Sequence, residues 1–358
     1  MKVIRILGVV VLVLMLAGLV LGTACAGAKG EEGPTGVGIE SVVNNGDGTF
    51  TLEMTDGSSF TTPNQTGPQG AKGDKGDKGD RGLQGPYAWG TSFLAGVASS
   101  LCFDGTNIWA VDYVYDKVTK LRASDGANLG TFAVGDLPSA ICFDGSNIWV
   151  TNLNDDNVTK LRASDGANLG TFAVGDDPQA ICFDGSNIWV ANAGSHNVTK
   201  LRASDGANLG TFAVGDLPSA ICFDGSSVWV ANDLSHNVTK LRASDGVNLG
   251  TYPAGTNPSS LCFDGTSIWV VDHAKGNVIK LRASDGSNQG TLPVGQQPNG
   301  ICFDGTDVWV CGGSVVELRA SDGACLRVIP ALISDLCFDG VNIWMADADH
   351  GVVTKLPA

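Results

Sequence analysis

The side chains of this sequence best suited to chemistry are its histidines, because neutral imidazole binds metal ions and accepts a proton near neutral pH. There are four of them: His196, His236, His273 and His350. Each lies within seven residues after a tryptophan, in one kind of segment of a repeated unit. Three interpretations stay open: a metal or catalytic centre, a surface for a ligand or partner, or loop residues without a role. The choice depends on the elements that position them.

The repeated unit is marked by the tetrapeptide Cys-Phe-Asp-Gly, which occurs seven times. Its cysteines are Cys102, Cys142, Cys182, Cys222, Cys262, Cys302 and Cys337. The spacing is 40 residues five times and then 35, and a tryptophan follows each cysteine by seven residues. Self-similarity at a period near 40 is typical of an array built from one supersecondary unit.

Each unit has the pattern of four short strands. In the second unit, apolar runs at 139–143, 147–150, 157–162 and 169–174 are separated by Gly, Pro, Asn and Asp. Four strands per 40 residues predict one blade of a β-propeller. The two inner strands are apolar on both faces, as expected for strands between neighbouring blades. The sequence therefore predicts an all-β fold, a seven-bladed propeller of four-stranded blades over residues 90–358.

The two ends of the array predict that the ring closes. The seventh unit stops at Leu356, after its third strand. Residues 90–96 align with the fourth strand of the other units. An N-terminal strand is therefore predicted to complete the last blade, which removes an open sheet edge that would invite aggregation.

The motif order resembles the NHL and YVTN propeller families. It runs Pro-x-x-Ile-Cys-Phe-Asp-Gly, Ile-Trp-Val-Ala-Asn, Asn-Val-Thr-Lys-Leu and Leu-Gly-Thr-Phe, and it covers residues 90–358. The Gly-His and Trp-Asp signatures of WD-type repeats are absent from the sequence. The resemblance implies the propeller fold. These families include binding, scaffolding and enzymatic proteins, so the resemblance does not imply one activity.

The units differ most between their second and third strands, on the face predicted to lie opposite the Asp-Gly turns. A feature that only one blade carries is not required by the blade itself, so we expect a ligand or protein partner on this loop face. His196 and His236 belong to two nearly copied units, which accounts for half of the histidine pattern. The residues predicted to form the binding face are Tyr113, Tyr115, Asp155, Asp156, His196, His236, His273, Lys275 and His350.

The alternative is an enzyme of the streptogramin-lyase type. Those lyases share this fold group and depend on a histidine, acidic residues and a divalent cation on the ring face. His273 or His350 could take the histidine's place, but the loops contain no glutamate, and Cys-Phe-Asp-Gly replaces the lyase-type Pro-Asp-Gly. No catalytic or metal-binding residue is therefore assigned. A purely structural envelope protein is a third possibility.

The residues common to all blades are predicted to be structural. Asp beside Gly is what tight turns require, and the recurring Arg residues near the third-to-fourth strand turn are positioned to pair with Asp. The seven repeated cysteines are interpreted as small buried residues too far apart to bridge. Cys311 and Cys325, at opposite ends of their blade, are also predicted to be unpaired.

The composition excludes several partners. The net charge of −15 argues against nucleic acid, which needs a basic surface, and against a polybasic membrane patch. No phosphate-binding glycine loop, nucleophile elbow or Cys-x-x-Cys motif occurs, so no cofactor is predicted.

Residues 1–26 have the layout of an export signal, with Lys2 and Arg5 before an uncharged apolar run. The segment resembles a bacterial lipoprotein signal, which implies lipid attachment at Cys25. Cleavage after Ala26 and an uncleaved helical anchor are the alternatives. All three predict that the rest of the chain lies outside the cytoplasm, in the cell envelope or secreted, with the membrane contacted only through this anchor.

Two of the three segments between the signal and the ring contain glycine at every third residue. A short Gly-x-y run covers 27–38, a small β-hairpin unit covers 39–66, and a longer Gly-x-y run covers 67–87. The longer run resembles bacterial collagen-like sequence, which implies a stalk that forms a homotrimer, since only glycine fits at the axis of a triple helix. A flexible glycine-rich linker is the alternative.

Overall fold

The computed structural model describes residues 90–357 in full and residues 39–44, 50–54 and 59–61 by their backbone. The latter form a three-stranded antiparallel sheet of β1 (Ile39–Asn44), β2 (Phe50–Met54) and β3 (Ser59–Thr61). The predicted export signal and both Gly-x-y runs lie outside the described residues. Across the described parts there is no helix of the length and apolarity that spanning a membrane requires.

Residues 91–357 form seven four-stranded antiparallel sheets, which confirms the predicted seven-bladed propeller. The ring begins with β4 (Thr91–Leu94), which belongs to blade 7. Blades 1 and 2 contain β5 (Ala98–Phe103), β6 (Asn107–Asp112), β7 (Lys117–Arg122), β8 (Asn128–Ala133), β9 (Pro138–Phe143), β10 (Asn147–Asn152), β11 (Asn157–Arg162) and β12 (Asn168–Ala173). Blades 3 and 4 contain β13 (Pro178–Phe183), β14 (Asn187–Asn192), β15 (Asn197–Arg202), β16 (Asn208–Ala213), β17 (Pro218–Phe223), β18 (Ser227–Asn232), β19 (Asn237–Arg242) and β20 (Asn248–Pro253). Blades 5 to 7 contain β21 (Pro258–Phe263), β22 (Ser267–Asp272), β23 (Asn277–Arg282), β24 (Asn288–Pro293), β25 (Gly300–Phe303), β26 (Asp307–Cys311), β27 (Val315–Arg319), β28 (Cys325–Ile329), β29 (Asp335–Phe338), β30 (Asn342–Asp347) and β31 (Val352–Pro357).

The position of each strand in its blade follows from its burial. Innermost strands such as β9 lie beside those of both neighbouring blades and therefore surround the ring axis. Second strands such as β10 are almost wholly buried, because each packs between two blades. Outermost strands such as β12 alternate exposed and half-buried residues. The apolar core therefore consists of separate clusters between neighbouring blades, one at each junction.

The ring closes as predicted, because β4 pairs with β31 as the fourth strand of blade 7. The Cα partners run from Val352 with Leu94 to Lys355 with Thr91. The buried hydroxyls of Ser92 and Thr354 lie 2.9 Å apart across this pair. We call the junction between blade 7 and blade 1 the seam. The chain crosses it between β4 and β5.

The Asp of each Cys-Phe-Asp-Gly motif has two structural roles. In blade 2, Asp144 Oδ1 accepts the N–H groups of Ser146 and Asn147, which is the predicted turn cap. Its other oxygen accepts the indole N–H of buried Trp149 at 2.8 Å, a bond that the sequence analysis did not anticipate. Since all seven blades repeat this Trp–Asp bond, the motif satisfies the one polar atom of a core tryptophan.

A buried or half-buried lysine joins six of the seven blades to the next, and blade 6 has Glu317 at this position, paired with Arg327. In blade 2 the Nζ of Lys160 lies 4.9 Å from the centre of the Trp149 ring and donates to the carbonyl of Ala203 in blade 3 at 2.7 Å. The same contact crosses the seam from Lys355 to Ala123 at 2.7 Å. Burial of an ammonium group is tolerated here because it finds both carbonyl acceptors and an aromatic face.

The predicted Arg–Asp pairs are present on the surface. Arg162 Nη1 lies 2.9 Å from Asp165 Oδ2, and the equivalent pair occurs in blades 1 to 6. Both side chains are about half exposed, so solvent screens their attraction and such a pair adds little to stability. The main effect of each pair is to neutralise the negative charge of the Asp in its turn.

All nine described cysteines are free thiols, as predicted. Burial raises the pKa of the repeated thiols, Cys142 and Cys222 among them, and Cys325 alone is exposed. Because the thiolate is the reactive form, alkylation of the folded ring at pH 8 is expected to label Cys325 first and the other eight only after unfolding. Mass spectrometry with and without denaturant measures this difference. Rapid native labelling of Cys142 would contradict the burial of the repeated thiols.

Candidate binding face

The loop face consists of the turns between second and third strands and the connections that lead from one blade to the next. In blade 2 these two parts touch, since Val174 donates its N–H to the carbonyl of Asp156 at 3.0 Å. The two Asp-Gly turns also touch, since Ala163 donates to the carbonyl of Ser146 at 3.0 Å. The Asp-Gly turns therefore form the opposite face, the turn face, as the sequence predicted.

The last position of the loop-face turn requires a left-handed backbone. Its occupants in six blades are Asp116, Asp156, His196, His236, Gly276 and Gly351, all with φ between 52° and 67°. Asp and His tolerate this conformation better than most residues. His196 Nδ1 accepts the N–H of Leu217 at 3.0 Å, as the carboxylates of Asp116 and Asp156 do for the next connection. His196 and Asp156 thus support the loops.

The preceding turn position divides the blades into two groups. Asp155, Ser195 and Ser235 each accept a backbone N–H from the connection that leads into their own blade, at 2.7–2.9 Å. In blades 1, 5 and 7 this position holds Tyr115, Lys275 and His350 instead. Tyr115 and Lys275 are exposed, and the ammonium group of Lys117 lies 4.8 Å from the centre of the Tyr115 ring.

The four histidines occupy three different turn positions in four blades. His273 takes the first position, which half-buried Tyr113 holds in blade 1, and its Nδ1 lies 3.0 Å from the carbonyl of Pro298. His236 takes the same position as His196, one blade along. Within residues 90–357, no three or more His, Cys, Asp or Glu side chains lie close enough together to hold a metal ion. The histidines therefore do not converge on one centre.

His350 is held by a buried carboxylate. Its Nδ1 lies 2.8 Å from Oδ2 and 3.0 Å from Oδ1 of Asp347. The Asp347 side chain is fully buried, whereas 53% of the His350 side chain is exposed. A carboxylate that fixes one imidazole nitrogen orients the ring, which is the arrangement of many general bases. The pair therefore has the geometry for proton transfer.

The most exposed large apolar side chains of the loop face lie mainly on blades 7 and 1 and on the connection that leads into blade 7. Leu94, Tyr115 and Leu332 are each more than 60% exposed, and Val114 is 51% exposed. These four residues form what we call the seam patch. On the rest of the loop face described here, the only comparably exposed large apolar side chain is Leu234.

The short connection after β4 contacts both the turn of blade 7 and the strand end that precedes the turn of blade 1. Ala95 donates its N–H to the carbonyl of Gly351, beside His350, at 3.2 Å. Gly96 lies against the carboxylate of Asp112, so closely that no Cβ would fit there. Asp112 in turn accepts the N–H of Tyr115 at 3.3 Å.

Leu332 lies one connection further round the ring than residues 95–97. It lies in the segment that joins blade 6 to blade 7, two residues before Ser334. The Ser334 hydroxyl donates to the carbonyl of Ala98, the first residue of β5, at 3.0 Å. The outer end of blade 7, the turn of blade 1 and the segment before β29 therefore meet at the seam.

A functional feature that the sequence analysis missed is Asp335, at the loop-face end of the innermost strand of blade 7. Its Oδ2 accepts the N–H of Leu101 in blade 1 at 2.8 Å. On its other side, Gly300 of blade 6 leaves room, since a Cβ there would lie 3.2 Å from Asp335 Oδ1. The signal was available: the six equivalent residues are Ser100, Ala140, Ala180, Ala220, Ser260 and Gly300, none of them ionisable.

Burial raises the pKa of Asp335 from the ordinary 3.8 to about 6, although the N–H bond from Leu101 opposes the shift. A raised carboxyl pKa means that the protonated form is favoured in the folded ring. The stabilising contribution is therefore complete below about pH 4 and is lost as the pH rises through 6.

At pH 7 the free energy of unfolding of Asp335→Asn is accordingly expected to exceed that of the parent by about 2–3 kcal/mol. At pH 4 we expect this difference to disappear. Asparagine keeps an oxygen acceptor for the Leu101 N–H. Denaturation at both pH values tests this, with exposed Asp349→Asn as the control. A parent protein of equal stability to Asp335→Asn at both pH values would contradict the buried charge.

The ring resembles solved structures of enzymes. A selenomethionine-substituted virginiamycin B lyase from Staphylococcus aureus matches with a TM-score of 0.62 at 15% identity, covering 73% of this chain and 94% of that one. A streptogramin B lyase structure matches with a TM-score of 0.64 at 16% identity, covering 75% and 96%. Kuenenia stuttgartiensis hydrazine synthase matches with a TM-score of 0.62 at 19% identity, covering 77% and 99%.

At these identities the likeness establishes the propeller fold and no activity. No protein-family model matches the sequence. No curated protein matches it either. The resemblance to the NHL and YVTN families therefore stays a prediction.

Proposed function

We propose that the propeller is a non-catalytic module that binds a protein or ligand on its loop face, at the seam. The observation that carries this proposal is the seam patch: four of the five large apolar side chains exposed on the loop face lie on blades 7 and 1 or on the connection that leads into blade 7. Apolar clusters of this kind on a soluble surface mark interaction sites, because their exposure is otherwise unfavourable. The blade does not require them, since blades 2 and 3 have no exposed large apolar side chain at these positions.

The proposal places the ring outside the cytoplasm. The predicted export signal with Cys25 supports this placement, and the Gly-x-y runs would act as a spacer, trimeric or flexible, that holds the ring away from the membrane. A binding module on such a spacer reaches partners in the cell envelope or the surroundings. Mass spectrometry of the mature N-terminus together with the native mass tests both the lipid and the trimer.

The binding proposal is tested by affinity capture with the full chain from the producing cells. The variant replaces residues 113–116 of blade 1 with residues 153–156 of blade 2, which removes Tyr115 and keeps a turn of the same length. The control exchanges residues 193–196 for residues 233–236. We expect the first exchange to release the partner and the control to retain it. A partner retained by both variants would contradict a site at the seam.

A second candidate is a lyase or hydrolase, and the His350–Asp347 pair favours it. A buried carboxylate 2.8 Å from Nδ1 orients an exposed imidazole on the same face, and the fold resembles that of streptogramin B lyase. In this proposal His350 moves a proton and Asp347 positions it.

Incubation of the full chain with virginiamycin B and divalent cations tests the enzyme directly. Ring opening detected by mass spectrometry, lost in His350→Ala and kept in the control His196→Ala, would establish the activity. An unchanged substrate, or equal turnover by the parent and His350→Ala, would count against it.

A further inference from the structure

The two faces of the ring differ in charge. On the turn face, Asp residues such as Asp125 and Asp165 are paired with arginines at 2.9 Å. On the loop face of blades 1 to 4, the turns and connections at 113–116, 134–137, 153–156, 174–177, 193–196, 214–217 and 233–236 contain eight Asp and no Lys or Arg. We call this set the acidic arc: Asp116, Asp136, Asp155, Asp156, Asp176, Asp177, Asp216 and Asp233.

The acidic arc begins at the seam patch. Asp116 directly follows Tyr115, and Asp136 lies in the first connection beyond it. The connection at 95–97 that crosses the patch is Ala-Gly-Val and carries no charge. The loop face therefore presents an apolar area at the seam, with the charges of Lys117 and Asp349 at its edges, that continues into a curved acidic surface over the next blades.

We propose that the partner is a basic polypeptide that places a large apolar side chain on the seam patch and its Lys or Arg residues over the acidic arc. This inference rests on the proposed binding function and assigns the chemistry of the partner. Aromatic and aliphatic side chains such as Tyr115 and Leu332 are suitable central contacts, since buried apolar anchors carry most of the binding energy of an interface.

Charge complementarity selects this occupant over a second copy of the chain. Two loop faces brought together would place eight carboxylates against eight more, and the repulsion between like charges costs several kcal/mol. A basic segment is instead attracted along the arc, and its association slows as salt screens the field.

The test measures binding of synthetic peptides to the full chain by fluorescence anisotropy. The main peptide alternates Lys with Leu and Trp; a second replaces Leu and Trp with Ser, and a third replaces Lys with Glu. We expect the first peptide to bind at least about tenfold more tightly than either of the others. Its affinity is also expected to fall with added salt.

Matched variants locate the binding surface. Tyr115→Ser combined with Leu332→Ser removes two of the four apolar side chains of the patch, and Leu169→Ser combined with Leu209→Ser changes two exposed leucines of outermost strands. We expect the first pair to weaken binding by about tenfold or more and the second pair to leave it unchanged.

The charges have their own control. The triple change Asp136→Asn, Asp176→Asn and Asp216→Asn removes three of the eight charges of the arc, whereas Asp125→Asn, Asp165→Asn and Asp205→Asn neutralise as many carboxylates on the turn face. Weakening by the first set alone supports the inference. Equal weakening by both sets would mean that the peptide is attracted only by the net charge of the protein. Equal affinity of the Ser peptide and the main peptide would mean that no apolar anchor is used. Either result overturns the inference.

The partner's chemistry can fail while the binding function stands. If the partner captured from cells is released by the exchange of residues 113–116 but is unaffected by the arc and patch substitutions, the loop face binds something other than a basic polypeptide. If the exchange releases nothing, the binding site is elsewhere and the proposed function fails first.

Discussion

Deletion of residues 90–96 is expected to lower the melting temperature of the full chain by about 10 °C or more and to increase aggregation. The deletion removes β4, which supplies the fourth strand of blade 7. The edge of β31 would be left unpaired and the buried Ser92–Thr354 contact would be lost.

Phe93 makes the largest contribution to this effect. Its ring lies 5.6 Å from that of Trp344 in blade 7 and packs directly against Gly126 in blade 1. The side chain therefore spans the seam, and its loss opens a cavity on both sides. The cost of one such phenylalanine is about 3–5 kcal/mol, before the lost backbone pairing is counted.

Calorimetry of the deletion variant checks this result. A control that lacks residues 70–76, in the longer Gly-x-y run, removes the same number of residues without touching the ring. We expect the control to melt with the parent. A deletion of 90–96 that melts with the parent would mean that β4 does not close the ring.

Trp149→Ala is expected to reduce the free energy of unfolding by about 3–5 kcal/mol. The indole is fully buried between blades 2 and 3, with the Phe172 ring at 5.4 Å and the Lys160 ammonium group at 4.9 Å. Its removal leaves a cavity and takes the indole N–H from Asp144.

Two further variants separate these contributions in urea denaturation. Trp149→Phe keeps most of the packing and loses the N–H donor, so we expect about 1–2 kcal/mol from it. Leu169→Ala, on a largely exposed side chain of the outermost strand, is expected to change stability by less than about 0.5 kcal/mol. Equal effects of Trp149→Ala and Leu169→Ala would contradict the core position of the tryptophan.

The architecture was predictable because the repeat displays it seven times. Turn dipeptides bound every strand, and the strand missing from the seventh unit appears at residues 90–96, so closure could be read without coordinates. The bonds between blades were not predictable in this way. Lys160 looks like a surface residue of an amphipathic strand, and only the neighbouring blade supplies its acceptor.

The candidate site was predicted in part. The sequence placed the variable loops on one face, but it treated four histidines as one class. The structure separates them. His196 occupies the left-handed turn position, where its side chain supports the next connection, whereas His350 occupies a different turn position and contacts Asp347. Which exposed residues share one side of the ring could not be derived either, since Leu94 and Leu332 are far apart in the chain and only the fold places them on blade 7 and the connection that leads into it.

Asp335 shows what a comparison limited to repeated residues leaves out. Asp335 lies outside both the Cys-Phe-Asp-Gly motifs and the variable loops, at the position two residues before each repeated cysteine. There a small residue fills the ring centre in six blades and a carboxylate does so in the seventh. Its burial depends on Gly300 in the neighbouring blade, a pairing that no single unit reveals.

Hydrogen-exchange footprinting of the full chain with its captured partner tests the central claim most directly. We expect slower exchange in the complex at residues 94–98, 113–116 and 330–333, which form the seam side of the loop face, and unchanged exchange at the Asp-Gly turns 104–106 and 123–127. Protection of the Asp-Gly turns, with the seam segments unaffected, would contradict a binding site on the loop face.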